Sequence, residues 1–203
     1  MSVKNIIFDL GGVLVDWNPE YVFLKEFQGD RIKMKWFFDN ICTSTWNEEQ
    51  DGGKLMKDAT EERIKLFPQY ERLIKIFYGR WEEMLKDEIS GTVRILYKLK
   101  NKNYKLIALT NWSAETFPIA LKKYKFLELF DGIVVSGEIK MLKPFNKIYH
   151  YTLNKYNLKP KECVFIDDRL NNVEGAIKCG ILGILFESPQ KLIVNLKKIK
   201  VEI

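Results

Sequence analysis

The sequence predicts an α/β fold, a Rossmann-like parallel sheet with helices on both faces and a small helical insertion after its first strand. Three features lead to this reading. A short Ile-rich run opens the chain, similar runs recur through its second half with helical patterns between them, and the alternation breaks only from about Trp17 to Leu85. Strands that alternate with helices pair in parallel, because a parallel neighbour is reached through a crossover.

Taken in order, the first run, Asn5–Asp9, reads as a buried strand. The interrupting interval lacks clear strands and reads as helices near Pro19–Gln28, Arg31–Asn40, Leu55–Phe67 and Gln69–Met84. Asn18-Pro19 supplies an N-cap followed by proline at the first helical position. Asp51-Gly52-Gly53 marks a turn. Beyond it come a helix near Thr92–Lys102, a strand at Lys105–Thr110, a helix near Ala114–Tyr124 and a strand at Gly132–Ser136. A helix near Phe145–Tyr156, a strand at Glu162–Asp167, a helix near Leu170–Cys179 and a strand at Gly183–Phe186 complete the pattern. The expected division is a sheet domain of residues 1–16 and 86–203, with residues 17–85 as a helical lid.

Composition bounds the function. A chain of 203 residues, 46% hydrophobic and 13% aromatic, has the length for one domain with an insertion and enough apolar side chains for a core. No apolar run approaches the roughly 20 residues of a membrane helix. The N-terminal apolar stretch meets Asp9 too early for a secretory signal, so the expected location is cytoplasmic. Cys42, Cys163 and Cys179 lack metal-type spacing and read as free thiols. His150 is the single histidine, which leaves no histidine-based triad or di-histidine metal site. The net charge of +6 comes from lysines spread along the chain, with only a short cluster at Lys197, Lys198 and Lys200. That pattern describes solvated faces, and neither nucleic acid nor membrane is an expected partner.

Sheets of this kind bind ligands outside the carboxyl ends of their strands. Asp9, Thr110 and the pair Asp167-Asp168 stand at three such ends, and Lys143 follows a fourth by a short loop. Carboxylates, a hydroxyl and an ammonium thus converge on one rim from distant parts of the chain.

Those residues carry a resemblance. Phe8-Asp9-Leu10-Gly11-Gly12-Val13-Leu14, Thr110-Asn111, Lys143-Pro144 and Phe165-Ile166-Asp167-Asp168 with Asn172 resemble the four ordered motifs of the haloacid dehalogenase superfamily. The similarity spans nearly the whole chain and is greatest to the sugar-phosphatase-like branch, whose helical cap follows the first motif. It implies a magnesium-dependent hydrolase of a small phosphorylated metabolite, possessing Asp9 as covalent nucleophile. Lys143 would supply positive charge, while the Thr110 hydroxyl and the Asn111 backbone N–H would bind phosphate. Magnesium would be held by Asp9, Asp168 and the Gly11 carbonyl, with Asp167 acting through water or a hydrogen bond. Asn172, four residues after Asp168, would face the same site. Plainer roles stand beside these: a turn-forming Asp9, a helix-capping Thr110, acidic residues favouring a helix N-terminus, and a lysine at 143 or 140 without special purpose.

The chain departs from the pattern in three places. Gly11 replaces the second aspartate that usually acts as general acid and base, Val13 replaces threonine, and Phe145-Asn146 follows Lys143-Pro144. Gly11 keeps two alternatives in view, a dehalogenase that needs no proton for its leaving halide and a non-catalytic protein that retains the fold. If an acid is supplied elsewhere, the search starts in the insertion with Asp16 and Asp51. A defective acid would favour leaving groups such as those of sugar 1-phosphates, which depart with less protonation. Trp36, Phe37, Phe38, Trp46 and Trp81 read either as stacking surfaces or as the core of the insertion, and Asp16, Trp17 and Asn18 sit where the chain could approach substrate. Oligomeric state is left open between monomer and homodimer.

Overall fold

The computed structural model describes residues 2–203. Strand β1 (Asn5–Phe8) leads through a turn to β2 (Val15–Trp17). Five helices follow: α1 (Glu20–Glu26), α2 (Arg31–Asn40), α3 (Ser44–Asp51), α4 (Met56–Leu66) and α5 (Glu71–Gly79). The chain then returns through β3 (Leu85–Glu88) into α6 (Ser90–Asn101), β4 (Lys105–Thr110), α7 (Phe117–Lys123), β5 (Gly132–Val135) and α8 (Ser136–Ile139). Helix α9 (Asn146–Lys155), β6 (Cys163–Asp167), α10 (Leu170–Lys178), β7 (Leu182–Leu185) and α11 (Pro189–Lys198) complete it.

The main sheet has five parallel strands in the order β5-β4-β1-β6-β7. Its first strand is therefore central, flanked by β4 and β6. Each of β1, β4 and β6 is buried on both faces, which explains why their sequences read as near-continuous apolar runs. Alternate residues serve different cores. Ile6, Phe8, Leu106 and Ile166 pack on one side, while Ile7, Ile107, Leu109 and Phe165 pack on the other. The first of these cores continues without a break into the helical segment, where Phe23 stacks on Phe37 with ring centroids 5.4 Å apart.

Several details differ from the sequence-based expectation. Residues 15–17 and 85–88 form a second, antiparallel sheet that pairs Val15 with Glu88 and Trp17 with Leu85, where the chain leaves the larger sheet's domain and returns to it. Both strands are short and largely unburied beyond Val15 and Leu85, so no apolar alternation announced them. Helix α3 was not expected either, since it buries only Trp46 and Gln50. The long helix expected over Gln69–Met84 splits into α5 and a 3-10 turn at Trp81–Met84. Helix α7 begins at Phe117 with Thr116 as N-cap, so Thr110 does not cap it. Helix α11 packs Leu192 and Leu196 inward and carries Lys197 and Lys198 in its last turn, where cations suit the helix dipole.

Candidate active site

The rim residues meet above the centre of the sheet. The Asp9 backbone N–H donates to the Ile166 carbonyl (2.8 Å), extending the β1–β6 ladder by one residue beyond the strand. Its carboxylate Oδ1 accepts from the Leu10 N–H (2.7 Å) and lies 2.9 Å from Lys143 Nζ. The same ammonium is 2.7 Å from Asp167 Oδ2 and donates to the Leu109 carbonyl at 3.0 Å. Three acceptors thus satisfy the three donors of an ammonium. The Lys143 side chain is only 1% exposed, whereas Lys140 is exposed at the end of α8.

Asn111 explains how a loop lysine is placed so tightly. Its Oδ1 accepts from the Lys143 N–H (2.9 Å), and its Nδ2 donates to the Lys143 carbonyl (3.0 Å). The sequence suggested its backbone; the side chain holds the lysine's main chain on both sides. Asp167 is similarly secured, accepting from the Arg169 N–H (2.8 Å) and from Asn172 Nδ2 at 3.0 and 3.1 Å. Asn172 therefore serves Asp167, one residue away from the spacing-based expectation. Asp168 is exposed and lies against the turn after β1, where a Cβ on Gly12 would fall 2.4 Å from its Oδ2. Gly12 also has φ +72°, so the turn needs glycine on both counts. Gly11 carries neither constraint: its φ is not positive, and a Cβ built there meets nothing within 4 Å.

Charge in this cluster is unbalanced. One carboxylate oxygen from each of Asp9, Asp167 and Asp168 lies within 4.8 Å of the others. With all three ionised, three carboxylates against one ammonium leave two negative charges at a site where only Asp168 reaches solvent. Burial pushes the Asp9 pKa up to about 7; Lys143 pulls it down, while Asp167 and Asp168 push it up. Burial and Asp167 also raise that of Asp168. Burial disfavours the Lys143 ammonium, but Asp9 and Asp167 outweigh it and hold its pKa above the ordinary value. An all-oxygen set with an uncompensated double negative charge fits a hard divalent cation such as magnesium.

A cavity of about 520 Å³ opens above this cluster. Its floor includes Asp9, Gly11, Thr110, Lys143 and Asp168. Trp17, Phe38, Phe77, Trp81 and Trp112 form much of the upper wall, joined by Asn18, Thr43, Ser44, Asn47 and Asp51. Of the aromatic candidates, Phe37 and Trp46 are core and Trp36 is exposed; Trp81 is buried yet also faces the cavity, and Phe38 does so half-buried. Trp17 and Asn18 line it, but Asp16 does not: it accepts from the Tyr21 hydroxyl (2.7 Å) in a separate depression.

The helical segment is tied down beside the cavity. Arg169 Nη1 is 2.9 Å from Glu48 Oε1, the Ser136 hydroxyl donates to the Asp51 carbonyl (2.6 Å), and Glu115 Oε1 accepts from the Met56 N–H (2.7 Å). Asp51 was legible as a turn residue and, with Asp16, as a candidate acid. Its position in the cavity wall depends on α3, which the sequence pattern did not reveal.

Comparison with known proteins places this architecture. The model of the haloacid dehalogenase-like hydrolases matches residues 6–185. The chain is 28% identical to the sesquiterpene phosphatase of Aspergillus oryzae, over 90% of this chain and 89% of that protein. It is 26% identical to the phosphorylated carbohydrates phosphatase of Thermotoga maritima, over 88% and 82%. Its fold is also that of a haloacid dehalogenase family enzyme from Bacteroides thetaiotaomicron solved with magnesium and inorganic phosphate, with TM-score 0.68, 24% identity and coverage of 92% and 96%. A five-stranded parallel sheet bearing an aspartate-lysine cluster at its carboxyl edge, and a family match across nearly the whole chain, lead to one assignment: this protein belongs to the haloacid dehalogenase-like hydrolases.

Proposed function

We propose that the protein is a magnesium-dependent phosphatase that hydrolyses a small phosphate monoester through an aspartyl-phosphate intermediate on Asp9. The observation that carries this reading is the buried cluster of Asp9, Lys143 and Asp167 beside Asp168, with its excess of two negative charges. A dehalogenase has no use for that excess, whereas a metal-assisted phosphoryl transfer does.

Asp9 Oδ would attack phosphorus as the bond to the leaving oxygen breaks, and water would then attack the same phosphorus to free Asp9 and inorganic phosphate. Lys143 steadies the nucleophile at 2.9 Å and offsets charge on the transferring group. Thr110 and the Asn111 N–H, at the end of β4, would hold a phosphate oxygen. Magnesium held by Asp9, Asp168 and the Gly11 carbonyl, with Asp167 acting indirectly, would neutralise charge on the phosphoryl group. The direct role falls to Asp168 because the Asp167 oxygens are already engaged by Lys143, Asn172 and Arg169.

Residues 17–85 act, in this reading, as a cap that selects the substrate. A sugar 1-phosphate suits the leaving-group argument, and its ring would stack on an indole while Asn18 and Asn47 met its hydroxyls. A second reading has its own observation: five aromatic side chains in the wall favour an apolar alcohol, such as the organic part of an isoprenoid phosphate. A steady-state panel of sugar 1-phosphates, isoprenyl monophosphates, p-nitrophenyl phosphate and a 2-haloacid, run with magnesium and with EDTA, tests the proposal. Magnesium-dependent phosphate release is the expected result. Halide release that survives EDTA would replace phosphatase with dehalogenase, and turnover of none of the panel would favour a binding protein.

A further inference from the structure

We infer that Asp51, delivered to the cavity by the C-terminal end of α3, is the general acid and base of this site. The inference rests on the phosphatase reading and adds a residue to it. An alkoxide is a poor leaving group, so phosphoryl transfer from an alkyl ester gains from a proton placed on the departing oxygen. The floor offers no donor free for that task. Asp9 is reserved for attack, Lys143 is saturated by Asp9, Asp167 and the Leu109 carbonyl, and Asp168 belongs to the cation cluster. Position 11 is a glycine.

The cavity wall contains three further carboxyl groups. Glu20 is paired with Arg31 (3.0 Å) and Glu48 with Arg169 (2.9 Å), so both carboxylates are already engaged by a cation. Asp51 alone has no cation partner. Its Oδ2 accepts from Asn47 Nδ2 (3.2 Å), and the Ser113 N–H faces its carboxylate. Its backbone is fixed by the Ser136 hydroxyl, which puts the side chain over the rim instead of in a mobile loop. The groups around it have opposing effects: burial and Glu48 favour the neutral acid, while the Ser113 N–H, Arg169 and Lys143 favour the carboxylate, and Tyr78 from α5 also lies near it. Burial prevails and carries its pKa up to about 7, near the value an acid-base group needs at neutral pH.

The step balances. As the Asp9 oxygen bonds to phosphorus and the ester P–O bond breaks, the Asp51 proton passes to the departing oxygen and releases the free alcohol. The resulting Asp51 carboxylate takes a proton from the water that attacks the phosphoenzyme, which releases phosphate and restores both aspartates.

The test compares wild type, Asp51→Asn and Asp51→Glu on hexyl phosphate and p-nitrophenyl phosphate with magnesium across pH. Asp51→Asn should lower kcat on hexyl phosphate by about 10²-fold or more, with a much smaller loss on p-nitrophenyl phosphate, whose phenolate departs unprotonated. The alkaline fall in kcat/KM should vanish in Asp51→Asn, and Asp51→Glu should recover part of the rate. Gly11→Asp in the Asp51→Asn background should restore alkyl turnover, since position 11 has room for a side chain and borders the same cavity. Equal losses on both esters, or a fully active Asp51→Asn, would overturn the role of Asp51 while leaving the phosphatase reading standing. A wild type inactive on both esters would overturn that reading and this inference with it.

Discussion

The floor and the roof of the cavity are built on different principles. In the floor, every charged group except Asp168 is buried and held by two or more partners drawn from β4, β6, the loops after β1 and β6, helix α10 and the loop after α8. In the roof, α3 contributes a carboxyl group without a cation and a surface ion pair whose side chains are 36% and 55% exposed. A floor of this kind fixes where charge sits at the reacting phosphorus. A roof of this kind carries few of the contacts that hold the sheet, and the proposed acid for the leaving group sits there. If the contrast is sound, floor substitutions should remove chemistry or stability outright, and roof substitutions should act selectively.

The largest expected effect is at Asp9. Asp9→Asn should reduce phosphate release to background while the protein stays folded, because no histidine lines the cavity and burial keeps the thiol of Cys42, which does, in its neutral form. More than a few per cent of wild-type activity in purified variant, read by single-turnover phosphate release, would remove Asp9 from the role. Removal of the cation comes next. EDTA should abolish activity and added magnesium should restore it. Asp168→Ala should weaken magnesium binding in calorimetry more than Asp167→Ala does, whereas Asp167→Ala should lower stability more, since it takes one of three acceptors from the buried Lys143 and leaves the Asn172 amide without its carboxylate. The reverse order for metal binding would exchange their roles.

Lys143 measures how far the floor depends on charge balance. Lys143→Met should destabilise the apo protein by about 3–5 kcal/mol in urea, because two buried carboxylates lose their common cation. Magnesium should recover part of that loss, as a ligand that binds only the folded state must. A destabilisation below about 1 kcal/mol would mean that the carboxylates simply protonate when the lysine is gone.

The same contrast explains what the sequence revealed. Asp9, Thr110 and Asp167 were legible because each ends an apolar run, and a strand buried on both faces leaves only such a run as its signature. Lys143 was legible through its neighbours in the chain, but its clamp was not: nothing local to Asn111 says that its amide will close on a main chain 32 residues away. The roof was least legible. Helix α3 buries one aromatic and one amide per two turns, too little for a periodic signal, and β2 and β3 are held by pairing across about 70 residues instead of by their own pattern. Asp51 therefore read as the start of an Asp-Gly-Gly turn and as one of two candidate acids without a position, although that turn's other end lies close to Lys140 and the Gly137 carbonyl of the floor's own scaffold.

Asp51 also gives the roof a pH signature in stability. Its pKa rises from 3.8 toward about 7 on folding, so the folded protein holds this proton over a range in which the unfolded chain releases it. The associated stabilisation is full below about pH 4 and is lost as pH rises through 7. Relative to wild type, Asp51→Asn should thus be nearly neutral at pH 4 and gain on the order of 1–3 kcal/mol by pH 8, after allowance for the partial exposure of the side chain. Common titrations cancel in that difference. A flat difference from pH 4 to pH 8 in paired urea melts would show that Asp51 is ionised throughout.

The smallest effect, and the sharpest probe of the contrast, is the ion pair between Glu48 and Arg169. It joins α3 to the turn after β6 at the cavity edge, and both partners are substantially exposed. Exposed pairs contribute about 0–1 kcal/mol, so Glu48→Gln should hardly shift the urea midpoint. Its catalytic effect should differ in kind. Loss of Glu48 removes a charge that favours protonated Asp51 and at the same time frees the Arg169 guanidinium, which favours the ionised form. Both changes lower the Asp51 pKa. The alkaline fall in kcat/KM on hexyl phosphate should therefore move to lower pH in Glu48→Gln, while Asp51→Asn, lacking the group, should show no further response to the same substitution. Arg169→Gln removes the opposite sign and should move the limb the other way. A double-mutant cycle over pH tests this directly: shifts of one sign for both single variants would mean that the pair acts by holding α3 in place, and the roof would then be a structural latch whose charges do not tune the acid.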